Sequence, residues 1–221
     1  MRFNMKKLLK MFLIDFLYFL LTTIVIIAGK LKITQMYLSL QEYGPQLDTL
    51  NLDNDVALAQ TLLSQINNSA TEISLYLFII IPLIAFVLYG AFQGYGYYSL
   101  HKKKNFFMKF ILASFVSLIF LVLLIFKFHY AFLALFVISS YLTFFLYFKE
   151  LKNIKLALNK VHIYFPYFLV YFILFFLPLT AFFMTDASYG VGNLFYWYFI
   201  FGIILTILFS TYKIYLIKKL S

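Results

Sequence analysis

One carboxylate stands where an apolar helix should carry none. Asp15 interrupts the run from Met11 to Gly29. A charged side chain at the centre of a membrane helix costs about 2.5–3.5 kcal/mol to insert, so it needs a partner or a route to water. Asp15 is off centre, about 7 Å along a helix from Lys10. Lys109 and Lys213 lie at comparable depth in two other apolar runs, and Gln93 and Ser210 reach the same layer. Three chemistries fit this candidate intramembrane polar cluster. Asp15 pairs with Lys109 or Lys213 and clasps helices together, or it lies on a proton or ion path, or it snorkels toward water.

Other spacings carry less. Gly90-Ala91-Phe92-Gln93-Gly94 matches G-x-x-x-G, which lets a second backbone approach one helix face, within the chain or in a homodimer. Ser139, Thr143 and Tyr147 form a polar stripe, and Ser114 and Ser117 share a side of another run. Such stripes line a pathway or make interhelical hydrogen bonds. Asp53-Asn54-Asp55 has the D-x-D form of a metal or nucleotide-sugar motif but lacks the following ligands, so it reads as a helix cap. Asn67-Asn68-Ser69 is an N-x-S sequon. His101, His129 and His162 fall on two sides of the membrane and cannot meet. The sequence has no Cys, H-E-x-x-H, G-x-S-x-G or phosphate loop. It therefore assigns no catalytic residue, no cofactor and no metal ligand, and enzyme activity is disfavoured.

Six apolar runs must position these residues, at about 11–29, 73–96, 106–126, 130–148, 163–184 and 194–216. The segments between them alternate in charge. Arg2, Lys6, Lys7 and Lys10, then Lys102, Lys103, Lys104 and Lys109, then Lys149, Lys152, Lys155 and Lys160, then Lys213, Lys218 and Lys219 fall at one side. Only Lys30, Lys32 and Lys127 fall at the other. That is the positive-inside pattern, with the N-terminus and C-terminus cytoplasmic. The chain is 64% apolar and 12% charged, too apolar for a surface in water. Its net charge of +10 does not point to nucleic acid, because orientation and attraction to anionic lipid headgroups explain the clusters. The first run is longer than a usual signal-peptide core and lacks a small-x-small site, so it reads as an uncleaved signal anchor.

The expected fold is all-α: a polytopic integral membrane protein with six transmembrane helices in one domain and an external helical segment at 30–72. Ile33, Met36, Tyr37, Leu40 and Tyr43 keep helical spacing until Gly44-Pro45. Val56, Ala59, Leu62, Leu63 and Ile66 keep it again, so the two stretches are expected as an antiparallel hairpin between helices 1 and 2. It packs on itself, lies on the membrane or docks a partner. Residues 149–161 read as a basic amphipathic helix at the inner interface. Tyr196, Trp197 and Tyr198 are expected in the outer aromatic belt, and Tyr212 and Tyr215 in the inner one. The absence of a chemical motif favours a non-enzymatic membrane scaffold or a subunit of a membrane complex, with a membrane-protein partner or a second copy. A transporter or permease half is the alternative, since by topology alone the six spans resemble the membrane subunits of ABC-type exporters. A lipid-modifying enzyme stands third.

Overall fold

The structure is a computed structural model that describes residues 5–48, 56–101, 104–127, 129–146, 154–184 and 191–220. The described elements are all helical. In order they are α1 Met5–Gln41, α2 Tyr43–Asp48, α3 Val56–Leu75, a π-helical turn Tyr76–Ile80, α4 Ile81–His101, α5 Lys104–Phe126, α6 Tyr130–Phe145, α7 Ile154–Asn159, α8 Val161–Met184 and α9 Val191–Leu220. Five helical stretches are long and apolar enough to cross a membrane: Met5–Gln46, Val56–Leu100, Phe106–Leu124, Val161–Pro178 and Tyr196–Tyr215. Helix α6 is apolar but shorter, at 16 residues.

Helices are what such a sequence must form in lipid, because hydrocarbon offers no partner to an open N–H or C=O. The exposed side chains agree with that solvent. Leu13, Leu17 and Ile24 on α1, Leu112, Val116 and Ile119 on α5, Leu169 and Ile173 on α8, and Phe201, Ile204 and Leu208 on α9 all point outward. An apolar surface of that extent drives association in water and is at rest in hydrocarbon.

The chain divides into two compact units. The first comprises Met1–Thr23 and Phe86–Ser221. Its core is aromatic. Tyr89 stacks on Phe110 at 5.6 Å between centroids, Phe144 meets Tyr171 at 5.4 Å, and Tyr171 meets Phe209 at 5.1 Å. The hydroxyl groups of Tyr171 and Tyr89 hydrogen-bond to each other, which satisfies two polar atoms that lipid could not. His129 caps α6 by accepting from the Ala131 amide at 3.2 Å. Tyr141 donates to the Ala157 carbonyl at 2.8 Å and ties α7 to α6.

The second unit is Ile24–Ala85. Here α1 stays helical to Gln41, turns at Glu42 and resumes as α2. The break thus precedes Gly44-Pro45. Pro45 sits in the first turn of α2, where its missing N–H has no helical partner to lose. Met36, Ala59 and Leu62 are buried, whereas Tyr37, Val56 and Leu63 are more than half exposed. The apolar stripes of this segment are therefore only partly covered. Helix α3 runs through Asn67-Asn68-Ser69 without interruption. The helix changes form later, at the π turn ahead of Pro82. A proline ring crowds the carbonyl four residues back, here Phe78, and offers no N–H in return. The chain widens, and Ile81 donates to the Tyr76 carbonyl five residues back.

Several expected features lie outside the described residues: the Asp53-Asn54-Asp55 cap, Lys102 and Lys103 of the basic turn, Phe128, Tyr147, and Lys149 and Lys152 of the interfacial segment. Of 149–161, the helical part described is Ile154–Asn159, followed by the start of α8.

Candidate functional site

Two helix faces build the site. On α1, Asp15, Phe19 and Thr23 recur every fourth residue. On α9, Tyr198, Gly202, Thr206, Ser210 and Lys213 follow at intervals of four, four, four and three. Each set lies on one side of its helix. The sets meet in reverse order. The Thr23 and Tyr198 hydroxyls are 2.6 Å apart, the Phe19 ring lies on Gly202, and Asp15 bonds Ser210 and Lys213. Helices α1 and α9 therefore run antiparallel. A Cβ at Gly202 would overlap the Phe19 ring, so this glycine permits the close approach.

At one end of this seam the polar groups close a network. Asp15 Oδ1 accepts from Lys213 Nζ at 2.7 Å and from Gln93 Nε2 at 3.0 Å. Asp15 Oδ2 accepts from Ser210 Oγ at 2.7 Å. Lys213 Nζ also donates to Gln93 Oε1 at 2.9 Å. The Gln93 amide thus turns its nitrogen to the anion and its oxygen to the cation, which is its only orientation without a repulsion. The ammonium also lies 4.2 Å from the centre of the Phe209 ring. None of the four residues is more than 1% exposed.

Apolar packing seals the network. Met11, Ile14 and Ile214 form a buried cluster with Leu8, Phe92 and Leu100 against it. Gly96 leaves room for this cluster, since a Cβ there would stand 3.3 Å from Met11 Cε. Tyr18, three residues beyond Asp15, packs edge-on against Tyr89 at 6.0 Å. A charge pair so enclosed is strengthened by the low dielectric and is costly to open.

The structure brings Asp15, Gln93, Ser210 and Lys213 together. Lys109 is elsewhere: half-buried, with Nζ 5.3 Å from the Phe106 ring. Its ammonium meets a ring of its own helix, and Asp15 takes its cation from α9 instead. The two glycines of the G-x-x-x-G motif are unequal. A Cβ on Gly94 would stand 2.6 Å from Phe107, whereas one on Gly90 would sit 3.8 Å from Ile111, at ordinary contact distance. Both face α5 of the same chain.

The hydroxyl stripes are tied to their own helices. Ser114 donates to Phe110 O, Ser139 to Phe136 O and Thr143 to Ser139 O, at 2.7, 3.0 and 2.9 Å. Tyr198 departs from the outer belt expected for it. Tyr196 and Trp197 are 66% and 65% exposed, but Tyr198 is 3% exposed, because the next position on a helix turns by about 100° and faces α1. Among the described residues no three His, Asp or Glu side chains gather as metal ligands would.

Sequence reasoning missed Phe209, Gly202, the Thr23–Tyr198 bond and the Tyr89–Tyr171 bond. The signal for part of this was present, since Gly202, Thr206, Ser210 and Lys213 keep the spacing of a small, polar face. The tyrosine pair had no such signal among so many aromatics. Compared with known proteins, the chain matches no family model, no curated protein and no solved structure.

Proposed function

We propose that this chain is a multi-pass membrane protein with a structural role, a non-enzymatic membrane scaffold or a subunit of a membrane complex. The closed network carries this reading. Both oxygens of Asp15 are occupied, its cation is shared with Gln93, and rings and methyl groups seal the layer. An ion path needs a polar group that can release its partner to water. A clasp needs the opposite.

Six crossings fit the same picture. Met11 near the start of α1 packs with Ile214 near the end of α9. Two ends on one side require an even number of crossings. Five long helices with the apolar α6 make six. The lysine distribution supports the cytoplasm as that side, in the cell membrane, with anionic headgroups as neighbours. Helix α1 has 37 residues, about 55 Å at helical rise, against about 30 Å of hydrocarbon. That excess length supports an external helical segment within 30–72, free to pack on itself or on a partner.

The test is a double-mutant cycle of Asp15→Asn and Lys213→Met, read as unfolding in bicelles, with proton-linked uptake measured in vesicles of the same variants. A clasp gives a coupling above about 1 kcal/mol, with the double variant more stable than Lys213→Met alone, and no change in uptake. Additive effects, together with uptake abolished by Asp15→Asn, would overturn the clasp in favour of transport.

A further inference from the structure

The N-terminal end of α1 carries a second pattern, independent of the clasp. Lys6, Lys10, Leu13 and Leu17 follow one another at intervals of four, three and four, so they form a single stripe on one helix face. All four are exposed, with Leu13 at 47% and Leu17 at 42%. Lys7, also exposed, flanks Lys6 and Lys10. Two ammonium groups thus stand over two leucines whose side chains face hydrocarbon. Among the described residues, none of these three lysines has an acidic partner.

One of the cations is also held in place. Lys10 Nζ lies 5.1 Å from the centre of the Tyr95 ring, and Tyr95 is itself 49% exposed. Helix α4 reaches that position because Gly96 admits the Met11 and Ile14 side chains, with the Ser99 hydroxyl, bonded to Gly96 O at 2.9 Å, lying 3.6 Å from Met11 Sδ. Tyr98, 43% exposed, extends the same aromatic edge. A lysine resting on a ring gives up less side-chain freedom when an anion arrives. Charge above, an aromatic edge beside and an aliphatic column below match the head and tail of one phospholipid.

We propose that Lys6, Lys7, Lys10 and Tyr95 bind the headgroup of an anionic phospholipid, with an acyl chain along Leu13 and Leu17. The site rests on the membrane reading given above and not on the clasp. Generic attraction to an anionic surface would weigh every exposed lysine alike. A built site weighs Lys10 above lysines elsewhere and depends on the Tyr95 ring.

The experiment uses the full chain in micelles of neutral detergent, with phosphatidylglycerol or phosphatidylcholine added, and counts retained lipid by native mass spectrometry. Phosphatidylglycerol is expected to bind in preference. A lysine set directly against the headgroup adds roughly fivefold, so Lys6→Gln with Lys10→Gln should weaken retention roughly 25-fold. Lys10→Arg and Tyr95→Phe should retain it, Tyr95→Leu should lose several-fold, and Lys155→Gln, at an exposed lysine on α7, should change nothing. Soluble glycerol phosphate should not displace the lipid, because the acyl column is part of the site. Equal retention of the two lipids would overturn the proposal, as would equal losses for Lys10→Gln and Lys155→Gln, no loss for Tyr95→Leu, or displacement by glycerol phosphate. Unfolding in phosphatidylcholine bicelles separates the outcomes. A chain that folds there yet shows no preference removes the lipid site alone, whereas a chain that does not fold in any bilayer removes the membrane reading.

Discussion

The Asp15 network and the contact between Ser117 and Thr143 both place polar groups between helices of the same unit. They are built on different accounting. In the first, a carboxylate offers acceptors and an ammonium offers donors, and Gln93 and Ser210 complete the set at 2.7–3.0 Å. In the second, two hydroxyls approach only to 3.4 Å, and each also faces a carbonyl of its own helix. The contrast shows what makes a polar group hold a helix bundle together. Being polar is not enough, because a helix supplies acceptors of its own. The group must need something its own helix cannot give. A carboxylate needs donors, and helix interiors have none to spare.

Breaking the charged side gives the largest effect. Lys213→Met leaves the Asp15 carboxyl without its cation among rings and methyl groups, with Gln93 Oε1 also losing its donor. The expected loss is about 3–5 kcal/mol of stability, enough to lower the yield of folded protein from the membrane. Thermal unfolding in detergent checks it. A loss under about 1 kcal/mol would mean that water reaches Asp15 and that the network is not sealed.

The next effect is steric. Gly202→Ala puts a methyl group into the Phe19 ring, which is 0% exposed and has no space to retreat. Overpacking of that kind costs about 1–3 kcal/mol. Because Gly202 lies on the face that carries Ser210 and Lys213, the shift should also weaken the Asp15–Lys213 coupling in a double-mutant cycle. Gly94→Ala meets the ring of Phe107, which is 37% exposed and can swing outward, so its cost should fall below that of Gly202→Ala, while Gly90→Ala has room and should stay within about 0.5 kcal/mol of the parent. Equal effects at Gly90 and Gly94 would contradict the geometry of α4 against α5.

How much of this was legible follows from what a sequence encodes. Hydropathy fixes where a residue sits along a span, so the depth of Asp15, Gln93, Ser210 and Lys213 could be read. It does not fix the direction a residue faces unless its neighbours form a stripe. Lys213 had such a stripe in Gly202, Thr206 and Ser210. Lys109 has Phe106 where Lys213 has Ser210, and Leu112 and Ala113 on its other side, so no run of small and polar residues marks its face. Depth alone made the two lysines equal candidates. The π turn was hidden for a related reason. Pro82 announces a disturbance near itself, and the form that disturbance takes depends on how the preceding turn relaxes. Tyr198 was grouped with Tyr196 and Trp197 because an aromatic run resembles a belt, although successive helix positions face different ways.

Between the two extremes stands the bond of Thr23 with Tyr198. Thr23 Oγ1 donates to Phe19 O at 2.8 Å, which spends its one hydrogen. The 2.6 Å contact therefore has Tyr198 as donor. Tyr198→Phe removes that donor and leaves Thr23 bonded to its own helix. The expected cost is about 1 kcal/mol, measured by unfolding in bicelles, with Thr23→Val in the same background adding little further.

The smallest effect is expected at Ser117 and Thr143, and the same count of hydrogens predicts it. Thr143 gives its hydrogen to Ser139 O at 2.9 Å, a good bond. Ser117 is directed toward Ala113 O at 3.3 Å, a long one, and lies 3.4 Å from Thr143 Oγ1. A single hydrogen on Ser117 serves two distant acceptors, and neither contact is strong. Ser117→Ala costs little because Thr143 keeps its bond to Ser139 O. Thr143→Val costs little because Ser117 keeps Ala113 O. The cycle of Ser117→Ala with Thr143→Val should therefore show a coupling at or below about 0.6 kcal/mol, the average for hydrogen bonds between membrane helices. A coupling near 2 kcal/mol would show that this pair also meets a need its helices leave open, and the difference in kind between the two seams would reduce to one of degree.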